Sequence, residues 1–197
     1  MSTLIVYCHP YEKSFNHAIL SMVKTNLNKQ KQHFQIIDLY AEHFNPVYDK
    51  EELRLYHEGK THDPLVTKYL TMLQNSSSII FITPLWWNSI PGMLKGFIDK
   101  VMKEGAGLSH TVSSLGIHGE LTNIKHTYVL TTSTSPKFYL QFFCGNAIKR
   151  VFINHTLKQL GMKRRHWRHW LHFGGITFAK LSKRQKYLNY IANYRFK

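Results

Sequence analysis

The run Leu4-Ile5-Val6-Tyr7-Cys8 is apolar at every position. Successive strand side chains point to opposite faces, so a strand of this kind is covered on both sides, as in a parallel sheet. Three more strands are expected over Phe34–Leu39, Ser78–Thr83 and Thr127–Thr132, with a fifth over His166–Phe173. Between the first two, Phe15, Ala18, Ile19, Met22, Val23 and Leu27 recur at helical spacing behind Ser14, an N-cap residue. Tyr40–His62 reads as irregular, with a short helix near Glu51–His57. Asp63-Pro64 starts a helix that runs to about Asn75, and Pro91 opens another through Met102. Glu104–Asn123 carries four glycines and reads as an excursion. One long helix is expected over Tyr139–Leu160 with Gly161 as its stop, then a turn at Gly174-Gly175 and a last helix capped by Ser182 that reaches about Tyr194. Five strands interleaved with helices predict an α/β domain spanning residues 1–197, with helices on both faces of a parallel sheet.

Such sheets bind ligands beyond the carboxyl ends of their strands. Three loops are therefore decisive. After strand one, His9-Pro10-Tyr11-Glu12-Lys13-Ser14-Phe15-Asn16 leads into a helix N-terminus, where free N–H groups and the helix dipole favour a phosphate. The loop is neither a G-x-G-x-x-G fingerprint nor a Walker A motif. After strand three, Pro84-Leu85-Trp86-Trp87-Asn88-Ser89-Ile90-Pro91-Gly92 places two indoles side by side. On extended backbone they point to opposite faces, so one core cannot bury both, and an indole in a cleft is a platform for a flat aromatic ligand. After strand four, Thr131-Thr132-Ser133-Thr134-Ser135-Pro136 supplies hydroxyls and N–H groups for the polar edge of a heteroaromatic ring. A phosphate end, an aromatic wall and a polar rim together describe a pocket for flavin mononucleotide.

The motifs at His9–Asn16, Pro84–Val101 and Leu130–Tyr139, with Asp38-Leu39-Tyr40, resemble those of the flavodoxin-like NAD(P)H:quinone oxidoreductases, of the DT-diaphorase type and its short bacterial relatives. The likeness runs in order from about Thr3 to Gly161, and is loose over the last 35 or so residues. The resemblance implies a flavodoxin-like five-stranded parallel sheet of order 2-1-3-4-5. It implies that His9, Ser14, Phe15 and Asn16 hold the phosphate and ribityl end of a flavin. Pro84, Leu85, Trp86, Trp87 and Asn88 would line the ring, and Thr131, Thr132, Ser133 and Thr134 would hold its pyrimidine edge. Tyr139 is implied as the catalytic side chain beside the hydride acceptor. The cofactor implied is FMN, with FAD as the alternative, and NAD(P)H is the co-substrate. Hydride would pass by a ping-pong scheme to a quinone, nitroaromatic or azo acceptor, in a homodimer. Two departures stand out. A histidine six residues after the tyrosine in longer relatives is Gly145 here, flanked by Cys144 and Asn146, and the usual Thr-Thr-Gly-Gly is Thr-Thr-Ser-Thr.

The charge balance, 26 Lys and Arg against 11 Asp and Glu, gives +15 and attracts anions such as nucleotides and phosphates. Clusters at Lys163-Arg164-Arg165 and Lys183–Lys186 raise a nucleic-acid reading, but nucleic acid is not the expected partner. Arg164 and Arg165 are instead candidates for the phosphate of NADPH. A non-enzymatic electron carrier or regulatory subunit is the main alternative, although such flavodoxins tend to be acidic. His166, His169 and His172 cannot converge on a metal from one strand. Gly59-Lys60-Thr61 and His57-Glu58…His62 miss the spacings of a Walker A loop and a zincin. Cys8 and Cys144 read as reduced thiols. No apolar run approaches the length of a membrane span, and the N-terminus reads as a strand and not a signal peptide, so a cytoplasmic location is expected.

Overall fold

The computed structural model describes residues 2–162 and 168–197. The chain runs β1 (Ser2–Tyr7), α1 (Phe15–Lys29), β2 (His33–Asp38), α2 (Lys50–Tyr56), α3 (Pro64–Gln74), β3 (Ser78–Pro84), α4 (Gly92–Val101), β4 (His110–Ser113), β5 (Gly116–Gly119), β6 (His126–Ser133), α5 (Lys137–Phe142), a π-helical stretch (Ile148–Thr156) continuing into α6 (Leu157–Gln159), β7 (Arg168–Gly174), a 3₁₀ turn (Ile176–Phe178) and α7 (Leu181–Ala192). The main sheet is parallel with order β2-β1-β3-β6-β7, the predicted 2-1-3-4-5 once the β4–β5 ribbon is set aside.

Strand alternation sorts the core into two layers. Leu4, Val6, Ile79, Phe81 and Val129 pack with Val66, Leu73, Phe97 and Phe152, from α3, α4 and the π-helical stretch. Ile5, Tyr7, Ile80, Ile82 and Leu130 pack with Ile19, Val23, Leu27 and Ile191, from α1 and α7. The unbroken apolar runs are therefore strands covered on both faces. Caps set the helix starts. Ser14 Oγ accepts from the His17 N–H at 3.1 Å, and Asp63 Oδ1 accepts from the Leu65 N–H at 2.9 Å. Removing either cap costs about 1 kcal/mol.

Four expectations are corrected. The single helix over Tyr139–Leu160 is broken: α5 ends at Phe142, and Gly145 and Asn146 take φ of 63° and 53° before the chain becomes helical again. Glycine enters this left-handed region freely and asparagine tolerates it. Gly145 is thus a turn residue. The excursion over Glu104–Asn123 contains an antiparallel ribbon, with Thr111 opposite His118. The last helix begins at Leu181, with Lys180 at the cap position and no side-chain capping bond, so Ser182 lies inside its first turn. Trp87 is not on extended backbone, as described below. The fifth strand is seen from Arg168. Its expected start at His166, like the Arg164 and Arg165 assignment, lies outside the described residues. No described helix is long and apolar enough to cross a membrane.

Candidate functional site

The carboxyl ends of β1, β3 and β6 open into one cleft of about 330 Å³. From the loop after β1 come His9, Tyr11, Ser14, Phe15 and Asn16. In the first turn of α1 the His17 N–H is taken by Ser14, while the N–H groups of Phe15 and Asn16 have no carbonyl one turn ahead of them in the helix and are placed to meet an anion. His9 is half-buried, its Nδ1 accepts from the Tyr11 N–H at 3.1 Å, and burial holds its pKa below the usual histidine value. The ring is therefore neutral at pH 7, with its proton on Nε2. Asn16 is 3% exposed. Its Nδ2 donates to Thr132 Oγ1 at 2.9 Å, while its Oδ1 has no donor among the described residues. A buried amide oxygen left without a partner costs about 1–3 kcal/mol, so this atom calls for a ligand donor.

Pro84, Leu85 and Trp86 form the wall from the loop after β3. The Leu85 N–H donates to the Thr132 carbonyl at 2.7 Å and ties this loop to β6. Trp86 is 44% exposed, with the His9 ring edge-on to it at 6.5 Å. Trp86 and Ser89 exchange two backbone hydrogen bonds of 3.0 Å around Trp87 and Asn88, whose φ values are 51° and 62°. Positive φ at both central residues marks a type I′ turn, and a bulky side chain held there carries strain of about 1–3 kcal/mol. Trp87 is 99% exposed at the turn tip, outside the cleft, and Asn88 lines a small recess beside Leu140 and Cys144.

From β6 and its loop, Thr132, Ser133 and Thr134 reach the cleft. Thr131 does not. Alternation turns it to the other face, where its Oγ1 accepts from Trp170 Nε1 at 2.8 Å and lies 2.8 Å from His172 Nδ1. Tyr139 stands on α5, exposed and stacked on Phe143 at 5.5 Å. The structure thus gathers His9, Ser14, Phe15, Asn16, Pro84, Leu85, Trp86, Thr132, Ser133 and Thr134 in one cleft. Trp87, Asn88, Thr131 and Tyr139 stand outside it. Ile176 lines the cleft without having been singled out. It follows the glycine turn at the carboxyl end of β7, and the rule that favours strand ends applied to that loop too. Cys8 is buried, and burial pushes its thiol up to about 12, which leaves it inert.

The residues present fit a flavin phosphate ester: a capped helix N-terminus, a buried acceptor unpaired among the described residues, an apolar wall and a hydroxyl-rich loop all line the cleft. A family model described as "Flavodoxin-like fold" matches residues 1–193. An uncharacterized NAD(P)H oxidoreductase of Haemophilus influenzae is 27% identical over 165 residues, covering 83% of this chain and 80% of that protein. NAD(P)H dehydrogenase [quinone] 1 of Rattus norvegicus is 29% identical over 153 residues, covering 69% of this chain and 55% of that protein, little more than half its length. The solved structure of Smu.1420 from Streptococcus mutans UA159 is 31% identical, covers 98% of this chain and 97% of its own, and superposes with a TM-score of 0.80.

Proposed function

Since the chain belongs to the flavodoxin-like family of NAD(P)H:quinone oxidoreductases and their bacterial relatives, we propose that it is a flavin-dependent oxidoreductase that takes hydride from NAD(P)H and delivers it to a quinone, nitroaromatic or azo acceptor. The observation that carries this reading is the buried Oδ1 of Asn16, which has no partner among the described residues and belongs to a cleft that Trp86 also lines. The cofactor is FMN, as in short relatives, with FAD the alternative.

The first turn of α1 binds the phosphate, helped by a net charge of +15 that draws anionic nucleotides in. Asn16 Oδ1 would hold the ribityl end by accepting from a donor of the bound flavin. Pro84, Leu85 and Trp86 exclude water from one side of the ring, and the Thr132–Thr134 loop bonds its polar edge. Bound flavin supplies the two-electron hydride chemistry, and the protein supplies orientation and electrostatics. NAD(P)H and the acceptor use the same opening in turn, a ping-pong scheme. Tyr139 serves the acceptor side as a hydroxyl donor, and Trp87 and Asn88 stand at the rim. Trp87, Phe142 and Phe143 are largely exposed, and the second subunit of a homodimer would bury them.

The visible spectrum of the purified protein tests this reading. Flavin bands that bleach on anaerobic addition of NADPH are expected, and mass analysis of the released cofactor identifies FMN or FAD. A colourless protein that refuses added flavin overturns the proposal, and bound flavin that NADPH and NADH both fail to bleach favours an electron carrier. A Tyr139→Phe variant should turn over quinone more slowly, and an unchanged rate removes Tyr139 from catalysis.

A further inference from the structure

Behind the loop that follows β6, four side chains and a carbonyl form one chain of hydrogen bonds. At one end, Trp170 Nε1–H, which can only donate, gives to Thr131 Oγ1 at 2.8 Å. At the other, the Ser135 carbonyl, which can only accept, receives the Ser133 hydroxyl at 2.6 Å. His172 bridges them, with Nδ1 2.8 Å from Thr131 Oγ1 and Nε2 3.1 Å from Ser133 Oγ. The Ser133 end fixes the direction of its bond to Nε2, and burial, which keeps the ring neutral, fixes the direction of the bond to Thr131. With its proton committed to Ser135, Ser133 Oγ must accept from Nε2–H. Nδ1 is then bare and accepts the Thr131 proton. The network and the burial of the ring together assign a neutral imidazole with its proton on Nε2. Burial, chiefly, pushes the His172 pKa down to about 4, and Lys137 acts in the same direction, while the backbone of Ser135 and Thr131 acts against them. Gly174 brings β7 against the same loop: a Cβ there would lie 2.6 Å from the Ser135 carbonyl oxygen. Thr132, between the two bridged residues, is held from the opposite face by Asn16.

We propose that His172 is a positioning residue of the candidate flavin site: through Ser133 it holds the Ser133–Ser135 backbone in the shape that receives the polar edge of the ring. The inference rests on the reading under Proposed function. His172 does not line the cleft and acts only through Ser133.

The test is FMN titration at pH 7 of wild type, His172→Phe and His172→Gln, with the midpoint potential of the bound flavin measured in each. Phenylalanine keeps a flat ring without nitrogen, whereas the glutamine amide can replace the Nε2 donor. His172→Phe should weaken FMN binding about tenfold and move the potential, and His172→Gln should stay within about threefold of wild type. Should His172→Phe fail to fold, Ser133→Ala cuts the same link with less damage to the core and is expected to show the same loss. Imidazole ¹⁵N shifts of the wild type should report Nε2–H. Unchanged affinity and potential in His172→Phe, equal losses in the two His172 variants, or a proton found on Nδ1 each overturns the inference while wild-type binding upholds the flavin reading. A wild type that takes up no FMN overturns that reading, and this inference with it.

Discussion

Beneath α2, the carboxylate of Glu52 is fully buried. It receives Lys103 Nζ at 2.5 Å, Thr61 Oγ1 at 2.9 Å and the His62 N–H at 3.3 Å, while the Lys103 ammonium also lies over the rings of Tyr48 and Tyr56. At the start of α1, Asn16 is buried almost as deeply, yet its Oδ1 meets no donor among the described residues. The first cluster carries full charges and is closed on itself. The second is neutral and left open. Strength of charge is thus a poor guide to function in this molecule, because a buried charge survives only where the protein already satisfies it. An unfinished hydrogen bond that faces a cleft is the better guide, since a bound ligand can complete it.

Breaking the closed cluster should have the largest effect. Lys103→Met leaves the Glu52 carboxylate buried and uncompensated, and denaturant unfolding at pH 7 should show a loss of about 3–5 kcal/mol. Burial raises the Glu52 pKa, but Lys103 and the other donors outweigh it, and the folded carboxyl titrates below its usual value. Its contribution is therefore complete above about pH 4.3 and is lost as the pH falls through the lower folded value. A Lys103→Met loss below 1 kcal/mol would show that closure is not what secures this region.

His172 sharpens the comparison, since its network is closed yet abuts the open site. An imidazole kept neutral in the fold costs nothing above pH 6.5. Between about pH 6.5 and about pH 4 the unfolded chain takes up a proton that the fold refuses, and stability drops by about 3 kcal/mol before levelling off. Subtracting the stability curve of His172→Gln from that of wild type isolates this acid arm from those of other histidines. Parallel curves would mean that His172 titrates as it does in the unfolded chain.

The smallest effect on stability is expected at the open cluster. Asn16→Leu removes the lone acceptor and the bond to Thr132, so FMN affinity should fall about tenfold while unfolding free energy changes by less than about 1 kcal/mol. A large stability loss with unchanged FMN affinity would make Asn16 a structural residue and reverse the contrast.

Much of this architecture is legible in local residue order. The apolar run at Leu4–Cys8, the stripe from Phe15 to Leu27 and the caps at Ser14 and Asp63 specify strands and helices because backbone periodicity and capping act within a few residues. The three loops at strand ends could be read as well, since a parallel sheet places such loops together. Local order failed where the competing forces are not local. The apolar pattern across Tyr139–Leu160 is helical throughout, and the left-handed turn at Gly145 and Asn146 divides it. The four-residue strands β4 and β5 are too short to announce themselves by alternation.

What the sequence determined by itself, then, is the layered α/β sheet and the identity of the loops at its mouth, because both follow from short-range rules. Only the tertiary structure decided which side chains in those loops face a ligand. Thr131 and Thr132 are indistinguishable in sequence, but pairing with β7 turns one toward Trp170 and His172, and packing of α1 turns the other toward Asn16. Those partners lie 39, 41 and 116 residues away along the chain. Whether a polar atom ends up satisfied or waiting depends on neighbours at such distances, and they meet only when the core closes.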